Sequence, residues 1–248
     1  TALSARAPSH RDMNTVNLRE GLPTDEKQLL LEVISPESPD NPWKSPFSRC
    51  RNQVALLLMY QLGLRRGEVL GIKVADIDFR QQTVTIRRRA DDPEDPRAEQ
   101  PNTKTLGRMI ALPPRLCALL EQYILRARRM LPGARTHNFL IVADRTGAPM
   151  TLSAVNKTFE VLRSRVAGLS KTLSPHVLRH CFNDNFSERA DRQGISPQEE
   201  MATRQDVMGW KNEKTARTYL RRHSREKARE ALLDMQEALT NGVPRKKM

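Results

Sequence analysis

Pro175-His176-Val177-Leu178-Arg179-His180 is the stretch on which the reading of this chain turns. His176 and Arg179 stand three apart, the spacing that sets two side chains on one face of a helix. The segment is therefore read as part of a helix over 175–190 that presents an imidazole and a guanidinium to one ligand. Outward from it the pattern stays helical, with further helices expected at 114–130, 151–167, 197–209, 213–221 and 224–240, and a brief strand at Phe139 to Val142. Nearer the N-terminus, Thr24 followed by Asp25, Glu26 and an apolar run to Val33 reads as an N-capped helix ended by Pro36. Phe47 to Leu62 forms a long, mostly buried helix stopped at Gly63, and a new short helix begins with Arg65 and Glu68. Ala75 to Phe79 and Thr83 to Arg88 are β-prone runs that read as a hairpin, with Thr103 to Leu112 returning as a third strand. No solenoid-type repeat is present, so the expected fold is mainly α with a small three-stranded antiparallel β-sheet (α+β). Residues 1–22 carry no steady period and read as an arm or interdomain linker, leaving 23–248 as the domain.

Charge points to the partner. The chain of 248 residues carries 42 Lys plus Arg against 29 Asp plus Glu, a net charge of +13, and the basic residues are spread along its length. A dispersed positive surface suits a polyanion, with nucleic acid the first candidate, although many of these side chains would serve equally as solvated faces. Cys50, Cys117 and Cys181 are odd in number and widely separated, without the spacing of a zinc site or a disulfide framework. That usage fits a reducing compartment, and the expected location is cytoplasmic, nucleoid-associated, in a bacterial or phage setting. No segment approaches the roughly 20 apolar residues of a membrane span, so no membrane partner is expected.

Two more patches share the character of the first: Gly63-Leu64-Arg65-Arg66-Gly67-Glu68, and Met208-Gly209-Trp210 followed by Thr218-Tyr219-Leu220. Each alone is a weak signal. In order they resemble the tyrosine recombinase, or phage integrase, family, whose signature is an Arg after Gly-Leu, a His-x-x-Arg pair, a His or Trp after Gly, and a Tyr nine positions later. The resemblance covers roughly 24–240. It implies a catalytic domain that breaks and rejoins double-stranded DNA through a covalent 3′-phosphotyrosine, needing no metal, nucleotide or other cofactor. It further implies a homo-tetramer on DNA, with a monomer possible without it.

The chemistry explains why these residue types belong together. Phosphoryl transfer gathers negative charge on the non-bridging oxygens, and fixed guanidinium forks answer it, which makes Arg65 and Arg179 the phosphate clamps. His176, titratable near neutrality, is the candidate to relay the nucleophile's proton; the bland reading of it is a core histidine. His180 takes a supporting part by the same resemblance. Trp210, where most family members carry His, is left hydrogen bonding through its indole N–H or packing. Tyr219 is the candidate nucleophile, a phenol that needs neighbouring positive charge to favour its anion. Lys104, on the β-hairpin loop, matches the lysine that protonates the leaving 5′ oxygen, with Lys73 a second lysine in the same region. Glu68 is expected to orient a basic or histidine side chain, against the alternative of an ordinary i,i+3 helix pair.

Two lengthened segments depart from the family pattern: the acidic, proline-bearing stretch 90–101, expected as an exposed loop, and 191–198 between Arg179 and Trp210. The amphipathic helix 224–240 is expected either to dock on a neighbouring protomer or to pack on its own domain. A type IB topoisomerase, with a similar residue set, and a DNA-binding regulator with a relic site are the competing functions. Covalent capture of DNA and relaxation of a plasmid lacking any special sequence separate them.

Overall fold

The computed structural model describes residues 21–89, 91–101 and 105–210, together with 232, 233, 235 and 236. Lys104 and Tyr219 lie outside the described residues, as does nearly all of the segment expected to form helices 213–221 and 224–240. Described are α1 (Thr24–Val33), α2 (Pro46–Gln61), α3 (Arg66–Gly71), β1 (Ile77–Asp78), β2 (Thr83–Ile86), β3 (Arg108–Ala111), α4 (Pro114–Gln122), α5 (Leu152–Arg165), α6 (Pro175–Arg192) and α7 (Pro197–Met208). The architecture is mainly helical with one three-stranded antiparallel sheet in the order β1-β2-β3.

The core forms around the C-terminal half of α2, whose apolar run places Val54, Ala55, Leu56, Leu58 and Met59 all in the buried interior, as a helix segment enclosed by neighbours requires. Leu30, Val33 and Ile34 of the α1 region and Leu178 and Cys181 of α6 join the same cluster. The backbone amide of Leu22, itself buried, donates to the Cys181 thiol, and that of Gly21 donates to Asp184, so the start of the described chain is fastened to α6. Helix α2 ends before Gly63, whose φ of +62° turns the chain sharply toward α3.

Strand register sets which side chains face inward. Val84 pairs with Ile110 and Ile86 with Arg108, and Val84, Ile86 and Ile110 are buried while Met109 between Arg108 and Ile110 is exposed. By this alternation Arg108 occupies an inward position at the end of the sheet.

Several elements differ from the sequence-based expectation, each for an identifiable reason. Helix α1 starts one residue after Pro23 and takes no side-chain cap from Thr24. The helix expected over 114–130 changes at Tyr123 into a wider π turn and then a 3₁₀ turn. The wider turn brings Tyr123 and Arg128 to one side, where the Tyr123 hydroxyl donates to the Leu140 carbonyl and the Arg128 guanidinium to those of His137 and Phe139. Those carbonyls, claimed by side chains, leave Phe139–Val142 without a ladder: it is a buried run that bends at Leu140 and Ile141, with isolated bridges from Phe139 to Lys73 and from Val142 to Pro149. The acidic stretch is also less exposed than expected. Asp95 and Arg97 form a buried ion pair at 2.7 Å, and Arg97 donates to the carbonyls of Leu70 and Met150. Finally, α6 runs on to Arg192 and α7 begins at Pro197, leaving only a tight turn through Gly194 of the second lengthened segment.

Helices α6 and α7 are locked together by Arg204, which donates to the Asn183 backbone and side chain at 3.0 and 2.8 Å, to the Ser187 hydroxyl and to Glu200. Its guanidinium also lies 4.8 Å from the Phe186 ring.

Candidate active site

Glu68 is the hub. It sits in the first turn of α3 with its side chain fully enclosed, and one oxygen accepts the backbone N–H of Arg65 at 2.7 Å, closing the helix start. The other accepts from Arg108 Nη1 at 2.9 Å and from the Thr105 hydroxyl. Burial pushes the carboxyl pKa up, but the Arg108 bond and charge, the Thr105 hydroxyl and the Arg65 amide outweigh it and hold Glu68 below the ordinary glutamate value. An ionised, buried carboxylate of this kind fixes the cations around it.

Two of those cations are the expected clamps. Arg65 Nη1 lies 3.9 Å from Glu68, and a third of the Arg65 side chain (33%) remains accessible. That Nη1 has no hydrogen-bond partner among the described residues. Arg179 is buried, lies 3.8 Å from the second Glu68 oxygen, and donates to the Gly63 carbonyl. Gly63 makes that bond possible, since a Cβ there would fall 2.5 Å from the Phe182 ring.

Arg65, His176 and Arg179 line one cleft of about 180 Å³, together with Arg66, Gly67, Leu152 and Pro175. The three-residue spacing on α6 therefore has the consequence expected of it: the imidazole and the guanidinium share an opening with the arginine that starts α3. His180, one residue beyond Arg179, is not part of the lining. The cleft is of a size to admit a phosphate group and is bordered by three guanidinium-bearing side chains and a histidine, a donor set suited to an oxyanion.

Trp210 is buried beside the site. It packs with Met208, Phe182 and Met201, and its ring lies 5.5 Å from the Arg179 guanidinium. Its packing and the cation–π contact help hold the Arg179 guanidinium in place. Gly209 places it, adopting a left-handed conformation that ends α7.

Sequence reasoning missed two residues of this arrangement, Thr105 and Arg108. The signal for Arg108 was present: alternation along β3 makes Met109 outward, so Arg108 must point inward with Ile110. A charged residue at an inward strand position calls for a partner. Thr105 carried no such signal. Lys73, the second lysine of the region, is held at 2.9 Å from Asp92 and 2.7 Å from Glu94. Burial lowers its pKa, but the bonds to Glu94 and Asp92 prevail and raise it, which is the wrong direction for a proton donor near neutrality.

Comparison with known proteins gives a consistent picture. A family model described as phage integrase family matches residues 28–226. The tyrosine recombinase XerC of Chlamydia caviae is 25% identical over 144 residues, covering 58% of this chain and 41% of its own length. That of Staphylococcus haemolyticus is 27% identical over 213 residues, covering 82% of this chain and 61% of its own. The chain thus spans about half the length of such relatives. Among solved structures, a XerH site-specific recombinase in a post-cleavage complex with a palindromic difH substrate has a TM-score of 0.64 at 21% identity, over 89% of this chain and 54% of that one. The XerA recombinase has a TM-score of 0.57 at 20% identity, over 88% and 65%. These two likenesses speak for the fold.

Proposed function

The chain belongs to the phage integrase family, and from that membership we propose that it is the catalytic domain of a site-specific recombinase acting on double-stranded DNA. The observation that carries this reading is the convergence of Arg65, His176 and Arg179 on one cleft behind a buried Glu68.

In the proposed reaction the Tyr219 oxygen attacks a backbone phosphorus while its phenolic proton passes to His176. Arg65 and Arg179 bind the non-bridging oxygens as their charge grows. The bond from phosphorus to the 5′ oxygen breaks, and Lys104 delivers the proton that lets this oxygen leave as a hydroxyl. The 3′-phosphotyrosine retains a phosphodiester bond, so the reverse attack by a 5′ hydroxyl reseals the strand without added energy. Lys104 suits the part by its place in sequence: it precedes Thr105, which is bonded to Glu68. Trp210 backs Arg179 and Glu68 holds both clamps in place, with His180 supporting from α6. No metal or nucleotide takes part in any step. The catalytic unit is taken as 23–248, preceded by an arm at 1–22 whose last two residues, Gly21 and Leu22, are fastened to α6 and so belong with the domain. Four copies would assemble around two duplexes, the segment 224–240 docking on a neighbour.

The test is covalent capture. Wild-type protein incubated with a pool of end-labelled, nicked duplexes should retain label through phenol extraction, and Tyr219→Phe should retain none. Sequencing the trapped DNA reports the site. Attachment that survives Tyr219→Phe, or none with wild type, overturns the proposal; relaxation of a plasmid lacking the trapped sequence would instead indicate a type IB topoisomerase. Removal of 224–248 is expected to lower the mass of the complex on DNA, and unchanged sedimentation would exclude the docking.

A further inference from the structure

Three parts of the site arrive from distant stretches of chain, and one side chain ties them. Arg108, at the inward end of β3, donates through Nη1 to Glu68 at 2.9 Å and through Nε to the Val207 carbonyl at 2.6 Å, near the end of α7. Its side chain is only 6% accessible. Beside it, the backbone N–H of Leu106 donates to the Gly209 carbonyl at 3.1 Å, and the Thr105 hydroxyl donates to Glu68. Gly209 is required by this closeness: with φ of +61°, an added Cβ would lie 2.9 Å from both the Leu106 carbonyl oxygen and Arg108 Nη1.

We infer that Arg108 is a positioning residue, holding the hairpin base that carries Lys104 in register with the α3 clamp and with the α7 end that carries Trp210. The inference rests on the reading of Lys104 as the proton donor. Two features separate this from ordinary packing. Arg108 Nη2 is buried with no hydrogen-bond partner among the described residues, a feature that costs stability and that an apolar side chain would avoid. The bonds also diverge from one rigid fork to a carboxylate on one element and a carbonyl on another, which the single ammonium of lysine cannot reproduce. Arg108 does not border the cleft, so it acts through Glu68 and the hairpin rather than on the phosphate.

The consequence is specific to the leaving group. If the hairpin base loosens, Lys104 is misplaced and expulsion of the 5′ oxygen slows, whereas Arg108→Lys still sets a cation beside Glu68 and leaves the two clamps, and with them phosphate binding, in place. Arg108→Lys and the near-isosteric Thr105→Val are compared with wild type on the nicked duplex carrying the trapped sequence. Each is tested with an ordinary 5′ oxygen and with a bridging 5′ sulfur at the scissile position, sulfur leaving as a thiolate without a donated proton. Arg108→Lys is expected to slow cleavage of the oxygen substrate by about 100-fold, with duplex affinity unchanged, and to recover most of that loss on the sulfur substrate. Thr105→Val should show the same signature more weakly. Equal losses on both substrates, or no loss, overturn the inference, and thermal melting of each variant identifies a loss caused by unfolding. Lys104→Met is the control. Recovery by sulfur in Lys104→Met but not in Arg108→Lys removes the positioning role alone, whereas no recovery in Lys104→Met removes the proton-donor reading and this inference with it.

Discussion

Arg204 and Arg65 both stand near a buried carboxylate, and their surroundings could hardly differ more. Arg204 is wholly enclosed, its fork directed at Asn183, Ser187 and Glu200 on two adjacent helices. Arg65 is a third accessible, stands off from Glu68 by 3.9 Å, and lines a cleft. One guanidinium is used to join helices, and the other is held beside a carboxylate with part of its side chain open to a ligand. The difference teaches how to sort arginines in a basic protein: one placed to meet a ligand is oriented by its neighbours but not enclosed by them.

Substitutions sharpen that contrast. The largest effect is expected for Arg204→Met, which leaves Glu200 buried without its cation and should cost about 3–5 kcal/mol in urea unfolding. A loss below 1 kcal/mol would erase the distinction between the two sites. Arg65→Ala should behave the opposite way, lowering the rate of DNA cleavage by about 10²–10³-fold, or about 3–4 kcal/mol at the transition state, with stability changed by less than about 1 kcal/mol. Next comes acid sensitivity. Because Glu68 titrates below its ordinary value of 4.5 in the folded chain, its stabilisation is fully present above that pH and is lost as the pH falls through the lower, folded-state value. Unfolding curves at descending pH should therefore show a wild-type loss that Glu68→Gln, already weakened at neutrality, does not share. Gly209→Ala, forcing a left-handed backbone against the Leu106 carbonyl, should cost about 1–2 kcal/mol in the same assay. The smallest change is expected for Lys73→Ala: about 1 kcal/mol or less of stability, and a cleavage rate within about threefold of wild type. A deep loss of cleavage there would bring Lys73 back as the proton donor.

Much of this was legible in the chain. Gly63, Arg65 and Glu68 announced a helix start behind a turn, and His176 with Arg179 announced a shared face, because both signals are local and helical periodicity is unambiguous over such distances. The inward alternation of β3 was equally local, but it singles out its apolar members first, and Arg108 carries no motif of its own. The π turn at Tyr123 and the missing strand at Phe139–Val142 were hidden for another reason. Both arise from side chains reaching carbonyls far away in sequence, and no propensity registers such a bond until the fold exists. The buried pair Asp95 and Arg97 belongs to the same class, since a proline-bearing acidic run looks solvated until its arginine finds Leu70 and Met150.

That folded-back run has a consequence for how the molecule meets a polyanion. Lys73 bridges Asp92 and Glu94, and Arg97 pairs with Asp95. Those two cations offset only two of the five carboxylates between Asp91 and Glu99, so the insertion keeps part of its negative field. An approaching duplex would be steered by the cations elsewhere against that residual charge, and the dependence of association on ionic strength should report both. Lys73→Glu would deepen the negative field, slowing encounter at low salt and leaving the closed complex comparatively untouched.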